Sequence, residues 1–328
     1  MNEQEIELIR GCLPEGRTKY HTFKDHYAFQ ILSWRLGSGS MKVRELKSHP
    51  EFSRYIHRPA FAEFLKRVPE GEINQSRLHA YWPQHEDIQT FRLTLDKWGD
   101  FDPDNDDWNQ TSRRGYNLVL QLNFPVPHGR YYQSLDDEDE DPLGFGSSCH
   151  PARFGILNTM SWARIDLNLD QGTALIEEIQ TDWLRDARRQ RNQIEQRLQE
   201  GKLSRYDEWW GIKVHKILSY IDAYIEPLVR LWDEATLEAT LWFLHEELGL
   251  KRIYYHTWES GLWFKRLSPS FGPPRSLYTK LPQRFGFECV GHGPEFITER
   301  PEIRRRMKKK PPTYRSPKWW FMDLTHAA

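Results

Sequence analysis

The sequence predicts a protein of mixed α+β or α/β class, with a helical N-terminal lobe and a C-terminal domain built on a mixed sheet. Three observations lead to this prediction. Apolar residues such as Ile6 and Ile9 recur at helical spacing in the first third of the chain. Residues 90–95 and 116–124 alternate between polar and apolar, as strands do. After residue 150, strand-like and helix-like segments follow one another, which favours a sheet covered by helices.

The N-terminal part is expected to be mainly helical. Residues 6–36 suit two short helices separated by a Pro-Glu-Gly turn at 14–16, and residues 43–68 show helical periodicity again. The two alternating runs near the middle could pair as an antiparallel ribbon, and the acidic run at 136–141 is typical of a solvated loop. The resulting division of the chain is a helical lobe at 1–88, a β-containing middle segment with the acidic loop at 89–148, an α/β domain at 149–300 and a basic, aromatic tail at 301–328.

Within the α/β domain, the order of elements can be predicted from periodicity and from turn residues. Thr181 or Asp182 can cap a helix that runs to about Glu200, where Gly201 is a stop signal. The predicted elements are strands at 159–167 and 174–180, a helix at 182–200, a helical stretch at 206–248 broken near Pro227, a strand at 251–257, a helix at 260–267 and a last strand at 285–290.

Composition excludes several classes of protein. The 46 Lys and Arg residues almost balance the 47 Asp and Glu residues, so no global field would draw the chain to nucleic acid or to a membrane. The three cysteines are far apart and lack CxxC spacing, which argues against a disulfide framework or a thiolate zinc site. The N-terminal residues do not resemble a signal peptide, and no apolar run approaches the roughly 18 residues of a membrane span. A cytoplasmic protein is expected.

The most informative segment runs from residue 174 to residue 183. It places Glu177, Glu178 and Gln180 in what should be a buried strand, where unpaired polar groups cost several kcal/mol. The segment then passes directly from the end of a strand to the start of a helix, which is where α/β sheets place ligands. Thr181 and Asp182 occupy this junction, so the sequence predicts a binding site there.

This segment resembles a known family. His150, Asn158, Trp162 to Arg164 and the hexapeptide Glu178 to Trp183 are similar to the "EIQSDW" domain of large phage and mobile-element polyvalent proteins, with Thr181 in place of the usual serine. The likeness covers about residues 150–291. It implies a shared ancestry with mobile elements. It does not point to a particular reaction.

A second resemblance concerns the end of the same domain. Residues 248–255, followed by residues 277–287, are similar to the closing strand, helix and strand of GNAT N-acyltransferases. That resemblance implies a GNAT-like fold and a group-transfer enzyme that uses an acyl-CoA-type donor and an amine acceptor. GNAT enzymes bind acyl-CoA through a glycine-rich turn after their central strand. Residues 180–189 contain no glycine here, so the fold can be shared without acyl-CoA binding.

If the transferase interpretation holds, Glu178 is the predicted general base and Tyr278 the predicted general acid, since the amine must lose a proton and the thiolate must gain one. The structural alternatives are that Thr181 or Asp182 is only a helix cap, that Glu177 pairs with Arg164, and that Tyr278 is a packed aromatic. The predicted substrate-binding residues are Gln180, Thr181, Asp182, Trp183, Asn158, Arg164 and His256.

A nucleic-acid-binding protein of phage or mobile-element origin, without chemistry of its own, is the alternative function. Arg185, Arg188 and Arg189 on one helix and the basic run from Arg304 to Lys310 could contact phosphates. A structural protein with tryptophan-rich partner surfaces is a third class.

Two further catalytic interpretations are weaker. Imidazole and carboxylate groups suit Zn or Fe, and the candidates are His150 and His256 with Glu178 or Asp182. Their spacing in the sequence matches no metal-binding motif, so no metal is predicted. Cys149 next to His150 is a candidate nucleophile pair, but neighbouring residues point apart on an extended chain.

Overall fold

An eight-stranded mixed sheet runs through the protein. The computed structural model describes residues 1–14, 17–68, 71–84, 87–102, 104, 109–136, 138–146, 149–268, 273–309 and 317–325. The strands are β1 (Lys19–Thr22), β2 (Ser40–Lys42), β3 (Glu72–Asn74), β4 (Gln89–Trp98), β5 (Asn117–Asn123), β6 (Thr159–Asn168), β7 (Thr173–Gln180), β8 (Glu208–Trp209), β9 (Ile212–Lys213), β10 (Arg252–His256), β11 (Glu288–Val290) and β12 (Trp319–Asp323).

The order of strands across the main sheet is β1-β4-β5-β6-β7-β10-β12-β11. Among the described strands of this sheet, β7 and β10 form the one parallel pair, and all other neighbours are antiparallel. Parallel neighbours need a long crossover, and the helices between residues 183 and 247 supply it. Two small ribbons, β2 with β3 and β8 with β9, lie outside the sheet.

Helices cover the sheet. They are α1 (Glu3–Arg10), α2 (His26–Leu36), α3 (Val43–Ser48), α4 (Pro59–Arg67), α5 (Gln75–His79), α6 (Val126–Gln133), α7 (Trp183–Gln199), α8 (Val214–Tyr220), α9 (Glu226–Val229), α10 (Trp232–Trp242), α11 (Trp258–Phe264), α12 (Lys280–Phe285), α13 (Glu295–Thr298) and α14 (Pro301–Lys308). The turns Phe52–Tyr55 and Arg275–Tyr278 are 3₁₀-helical, and Ile221–Ile225 and Phe243–Glu247 are π-helical.

Burial identifies the centre of the core. Every residue of β5 is buried, and so are all but the last residue of β6 and of β7. Strands buried on both faces belong in the middle of a covered sheet. Helix α10 packs against β6 and β7, and α2 packs against α10 in turn. The polar junction after β7 is therefore held on the most buried part of the fold.

The mixed α and β class predicted from the sequence is confirmed. The strands expected at 90–95 and 116–124 form β4 and β5 and pair as an antiparallel ribbon. Strands also form as expected at β6, β7 and β10, and helix α7 follows β7 directly. The predicted turn at 14–16 lies partly outside the described residues. The same is true of the segment from residue 310 onward.

Three predictions of local structure were wrong. Residues 19–22 form strand β1 instead of belonging to a helical pair, because they pair with β4. Residues 208–213 form a short ribbon rather than helix. By contrast, the break expected near Pro227 is confirmed, because helix α9 ends at Val229 and helix α10 begins at Trp232. The strand at 288–290 is not the last, because β12 follows it in sequence and lies between it and β10.

All four predicted ranges contribute to one sheet. Strand β1 comes from 1–88, β4 and β5 from 89–148, and β12 from 301–328. Trp319 of β12 is fully buried, so the aromatic end of the predicted tail is core. None of the described helices is long and apolar enough to cross a bilayer.

Candidate active site

A β-bulge places two acidic side chains at the centre of the sheet. Arg164 of β6 pairs with Glu178 of β7, whereas the next residue, Ile165, pairs with Ile176. Glu177 is therefore an extra residue on β7, and such bulges re-aim side chains. Both carboxylates are buried, with Glu177 0% and Glu178 6% exposed.

The two parallel strands separate beyond this bulge. Pairing of β7 with β10 ends at Ile176 and Tyr255, although β7 continues to Gln180. Residues 177–180 therefore have β6 on one side and, within the described parts of the chain, no strand on the other. The unpaired side of residues 177–180 is an opening in the sheet. Side chains from β10 and α11 lie at this opening, and so do two cavities.

Glu178 is held by two cations. Its Oε2 accepts hydrogen bonds from Arg164 Nη2 at 2.5 Å and from Lys265 Nζ at 3.2 Å. Burial opposes the ionised form of Glu178, but the positive charges of Lys265 and Arg164 outweigh it and lower the pKa of this carboxyl. A low pKa makes Glu178 a poor proton acceptor. The predicted role of Glu178 as a general base stays a prediction, and this pairing argues against it.

Glu177 belongs to a separate buried network. Its carboxylate accepts from the Ser112 amide at 3.0 Å and hydroxyl at 2.9 Å, and lies 3.1 Å from His256 Nε2. Burial opposes ionisation here too, but hydrogen bonding and charge from His256 and the positive charges of Lys265 and Arg164 hold the pKa of Glu177 at about 2. Ser112 and Glu177 contact the same nitrogen of His256, so they do not form a Ser-His-acid triad.

His150 and Asp182 form a second pair that reaches the open part of the site. His150 Nδ1 lies 3.0 Å from Asp182 Oδ2. Asp182 Oδ1 accepts from Gln180 at 2.7 Å and from Arg185 at 2.8 Å. Burial opposes the charge of Asp182, but these hydrogen bonds and charges lower its pKa, so it is ionised at neutral pH. Among the described residues, none bonds to His150 Nε2, so this nitrogen is available for a hydrogen bond to a ligand.

Two cavities meet at this pair. The larger, of about 580 Å³, is lined by the end of β7, the start of α7 and the segment 273–277. The smaller, of about 440 Å³, is lined by Trp98, Cys149 and Trp162, among others. The residues that line both are Gln110, His150, Glu178 and Gln180.

The start of α7 forms one wall of the larger cavity. Thr181 Oγ1 accepts the Leu184 amide at 3.3 Å and so caps the helix, whereas the Asp182 side chain makes no cap hydrogen bond. Arg185 and Arg188 also line this cavity. A helix N-terminus with two guanidinium groups favours anionic ligand groups.

The structure brings together only part of the predicted substrate-binding set. Arg164 lines the smaller cavity, Thr181 lines the larger one, and Gln180 lines both. Asp182 lies behind His150 and orients it. The other residues lie elsewhere.

Trp183, Asn158 and His256 line neither cavity. Trp183 packs against Tyr132, and its indole N–H donates to Tyr220 at 2.8 Å. Asn158 is fully buried, and its side-chain polar atoms have no partner among the described residues. His256 is also fully buried, in the Glu177 network.

Tyr278 is buried close to Glu178. Its ring lies 5.7 Å from Lys265 Nζ, and its hydroxyl has no hydrogen-bond partner within the described parts of the chain. Burial, with the negative charge of Glu178, raises the pKa of Tyr278 well above its usual value. The hydroxyl therefore stays protonated at neutral pH, but a raised pKa also makes it a weak proton donor, and Tyr278 lines neither cavity. Its role as general acid stays a prediction.

The arginines predicted to contact nucleic acid are partly neutralised. Arg185 pairs with Asp182 at 2.8 Å, and Arg189 pairs with Asp186 at 3.4 Å. Arg304 forms an ion pair with Glu299. Lys310, at the end of the basic run, lies outside the described residues. The α7 arginines therefore do not form an uncompensated basic stripe.

Several residues of the site were not assigned roles from the sequence. Lys265, Ser112 and Gln110 come from segments far from β7, and no local motif marks them. His150 belongs to the family resemblance and is a possible metal ligand by its chemistry, but its pairing with Asp182 depends on the fold. No group of three or more His, Cys, Asp or Glu side chains suited to a metal ion occurs in the described ranges.

Comparisons of the chain with protein-family models, with curated proteins and with solved structures find no match.

Proposed function

We propose that the protein is a group-transfer enzyme, of GNAT-like layout, that moves an acyl group from an acyl-CoA-type donor to an amine. The observation that carries the proposal is the pair of cavities that share the wall of Gln110, His150, Glu178 and Gln180. A transfer reaction needs two substrates whose reacting atoms meet at one point. Two cavities whose linings share His150, the partner of Asp182, would let two substrates approach the same side chain.

The larger cavity suits the donor. One edge of residues 177–180 is not paired with β10, and an extended chain of amides can bind along such an edge as a strand would. The phosphates of the donor would then lie at the start of α7, near Arg185 and Arg188. These side chains would replace the glycine-rich turn that the sequence lacks.

The smaller cavity suits the acceptor. In the proposed reaction, His150 accepts a proton from the amine as its nitrogen attacks the thioester carbonyl carbon. Asp182 holds the imidazole in place and stabilises its charged form. The carbon–sulfur bond then breaks, and the departing thiolate takes a proton, for which Tyr278 remains the predicted donor. Glu178 keeps Arg164 and Lys265 in position beside these groups.

Binding of CoA tests the donor site. Calorimetric titration of the wild type with CoA and with acetyl-CoA should show binding, and Arg188→Gln should weaken it about tenfold, because a charge-assisted contact to phosphate is lost. Arg189→Gln is the matched control, since Arg189 lies on the same helix but does not line the cavity. Absence of binding to either compound, or equal weakening in both variants, would contradict the proposal.

Turnover tests the His–Asp pair. With acetyl-CoA and a panel of primary amines, His150→Gln should lower thiol release by about 10² to 10⁴, the usual contribution of a general base. CoA binding should change much less than turnover, because His150 lines the donor cavity but acts chemically on the acceptor. If His150→Gln turns over at the wild-type rate, the proton acceptor lies elsewhere.

A further inference from the structure

A third cavity lies outside the proposed transfer site. It has a volume of about 750 Å³ and is bounded by the loop before α2, by α4, by the segment before β4 and by the segment between α9 and α10. We call it the α2 cavity. None of its described lining residues lines either cavity of the transfer site. Its charged lining residues are Lys24, Asp25, Glu63, Arg67, Asp87 and Arg230.

Two of these six charges are balanced by side chains outside the lining. Lys24 pairs with Glu234 at 2.6 Å, and Glu63 pairs with Lys66 at 3.0 Å. The other four, which form no ion pair within the part of the chain that the structure describes, are Asp25, Asp87, Arg67 and Arg230. The α2 cavity therefore offers two carboxylates and two guanidinium groups to a ligand.

Asp25 is the buried member of this set. It is 2% exposed, and its Oδ2 has no hydrogen-bond partner among the described residues. The Ala60 amide, in the first turn of α4, hydrogen-bonds to the carboxylate. Burial, with the negative charge of Glu234, raises the pKa of Asp25, although Lys24 and Arg58 act in the opposite direction. A buried oxygen without a donor costs stability, so a ligand that supplies the donor gains affinity there.

The backbone of Asp25 lies in the left-handed region, with φ +70°. Glycine adopts this region without strain, and other residues seldom do. Asp25 directly precedes α2, where an aspartate usually caps the helix, but its side chain makes no capping hydrogen bond to α2. Because neither the backbone nor the helix that follows requires an aspartate, this strained position indicates a role for the carboxylate in the cavity.

The uncharged walls of the α2 cavity are largely apolar. Two buried rings, Phe23 and Tyr81, belong to them. Three prolines also line the cavity, namely Pro59, Pro83 and Pro227. The guanidinium carbon of Arg67 lies 5.1 Å from the centroid of the Tyr81 ring, so a positive charge stands beside this apolar wall. Such walls suit a ligand whose body is apolar and whose charged groups are few.

We propose that the α2 cavity binds a small zwitterion with an apolar body, either a free amino acid or a short peptide. Its ammonium group would donate to Asp25 Oδ2 and give this carboxylate the partner that it lacks. Its carboxylate would pair with Arg230 or Arg67, since a guanidinium group binds a carboxylate through two parallel hydrogen bonds. A ligand with only one kind of charge would leave either the carboxylates or the guanidinium groups without partners. The proposal does not rest on the transferase function.

The test is the thermal stability of the full chain with four small compounds at equal ionic strength. Phenylalanine and the dipeptide phenylalanylphenylalanine carry both charges, whereas phenethylamine lacks the carboxylate and N-acetylphenylalanine lacks the ammonium group. A ligand that binds the folded state raises the melting temperature by mass action. At least one of the zwitterions should raise it, and each singly charged compound should bind at least tenfold more weakly.

Asp25→Asn is the variant that tests the carboxylate. Asparagine keeps the size of the side chain and tolerates the left-handed region, so the variant should melt no lower than the wild type without ligand. It should lose at least tenfold in affinity for the zwitterion. Asp170→Asn, at an exposed position in the turn between β6 and β7, is the matched control and should keep the response.

The outcomes separate the possible ligands. A response to phenylalanine alone would assign a free amino acid, and a response to the dipeptide alone would assign a peptide. Equal stabilisation of wild type and Asp25→Asn would overturn the proposal, and so would N-acetylphenylalanine that binds as tightly as phenylalanine. If Asp25→Asn does not fold, the comparison of the four compounds on the wild type decides. No response to any of them would refute the proposal, and Asp25-dependent stabilisation by Mg²⁺ or Ca²⁺ would then point to an inorganic cation.

Discussion

Replacement of Glu178 by glutamine tests the buried charge balance around the bulge. Two carboxylates, Glu177 and Glu178, face two cations, Arg164 and Lys265. Burial lowers the pKa of His256, so this histidine is counted as neutral at pH 7 and the four charges cancel. Glu178→Gln keeps the size of the side chain but leaves the group with a net charge of +1. Lys265→Met leaves it with −1, and the double variant restores neutrality.

The expected magnitude follows from burial. Glu178, Arg164 and Lys265 are 6% exposed or less, so water screens their interactions weakly. Removal of one partner of such a pair costs about 3 to 5 kcal/mol of unfolding free energy, because a charge is left buried without compensation. The double variant should cost about 2 kcal/mol less than the sum of the two single variants.

Urea unfolding at pH 7 measures these free energies, provided that the slope of the transition is the same in all variants. The cost of Glu178→Gln should shrink as the pH approaches 10. Burial lowers the pKa of Lys265, and the charge of Glu178 opposes that shift. Without Glu178 the pKa of Lys265 in the folded protein should fall further, so the unfolded chain binds this proton more tightly than the folded protein does. That advantage of the unfolded chain disappears as the pH nears the pKa of a free lysine, about 10.4.

Two results would refute this reasoning. A loss below about 1 kcal/mol in Glu178→Gln would mean that the pair is effectively exposed. Strictly additive single and double variants would mean that Glu178 and Lys265 do not interact. Urea unfolding is also the control for the enzymatic assay, since loss of turnover in Glu178→Gln is informative only if the variant is folded.

Two other predictions concern stability. Burial lowers the pKa of His128 to about 3, so the unfolded chain binds a proton below pH 6.5 that the folded protein refuses. For this reason the free energy of unfolding should fall by about 2 kcal/mol between pH 6.5 and pH 5. In urea titrations, His128→Phe should remove this part of the pH dependence of the unfolding free energy. His57→Phe, at an exposed position, should not. Gly286→Ala should cost about 2 to 3 kcal/mol in thermal unfolding, because φ is +94° and the new Cβ would lie 2.9 Å from Tyr55 Oη. Gly201→Ala, with φ +68° and no atom within 4 Å, should cost only about 1 kcal/mol; equal losses would exclude the steric contribution.

The sequence by itself determined the local structure around β7. Apolar runs set strands β4 to β7 and β10, and the change from strand to helix at residues 180–183 is readable from adjacent residues. It also identified Glu178, Gln180 and Asp182 as polar groups in an apolar setting. Buried polar groups of this kind need hydrogen-bond or charge partners in any fold. These inferences use only neighbours in the chain, so periodicity and propensity suffice for them.

The tertiary structure decided which partners those groups have. Strand β1 and strand β12 are four and five residues long, and each exists because a distant strand pairs with it. Lys265 reaches Glu178 across 87 residues of chain, and Ser112 reaches Glu177 across 65. His150 meets Asp182 only because the loop before β6 folds over the end of β7. Such contacts depend on strand order and on the bulge at Glu177, and a single sequence carries no local signal for either.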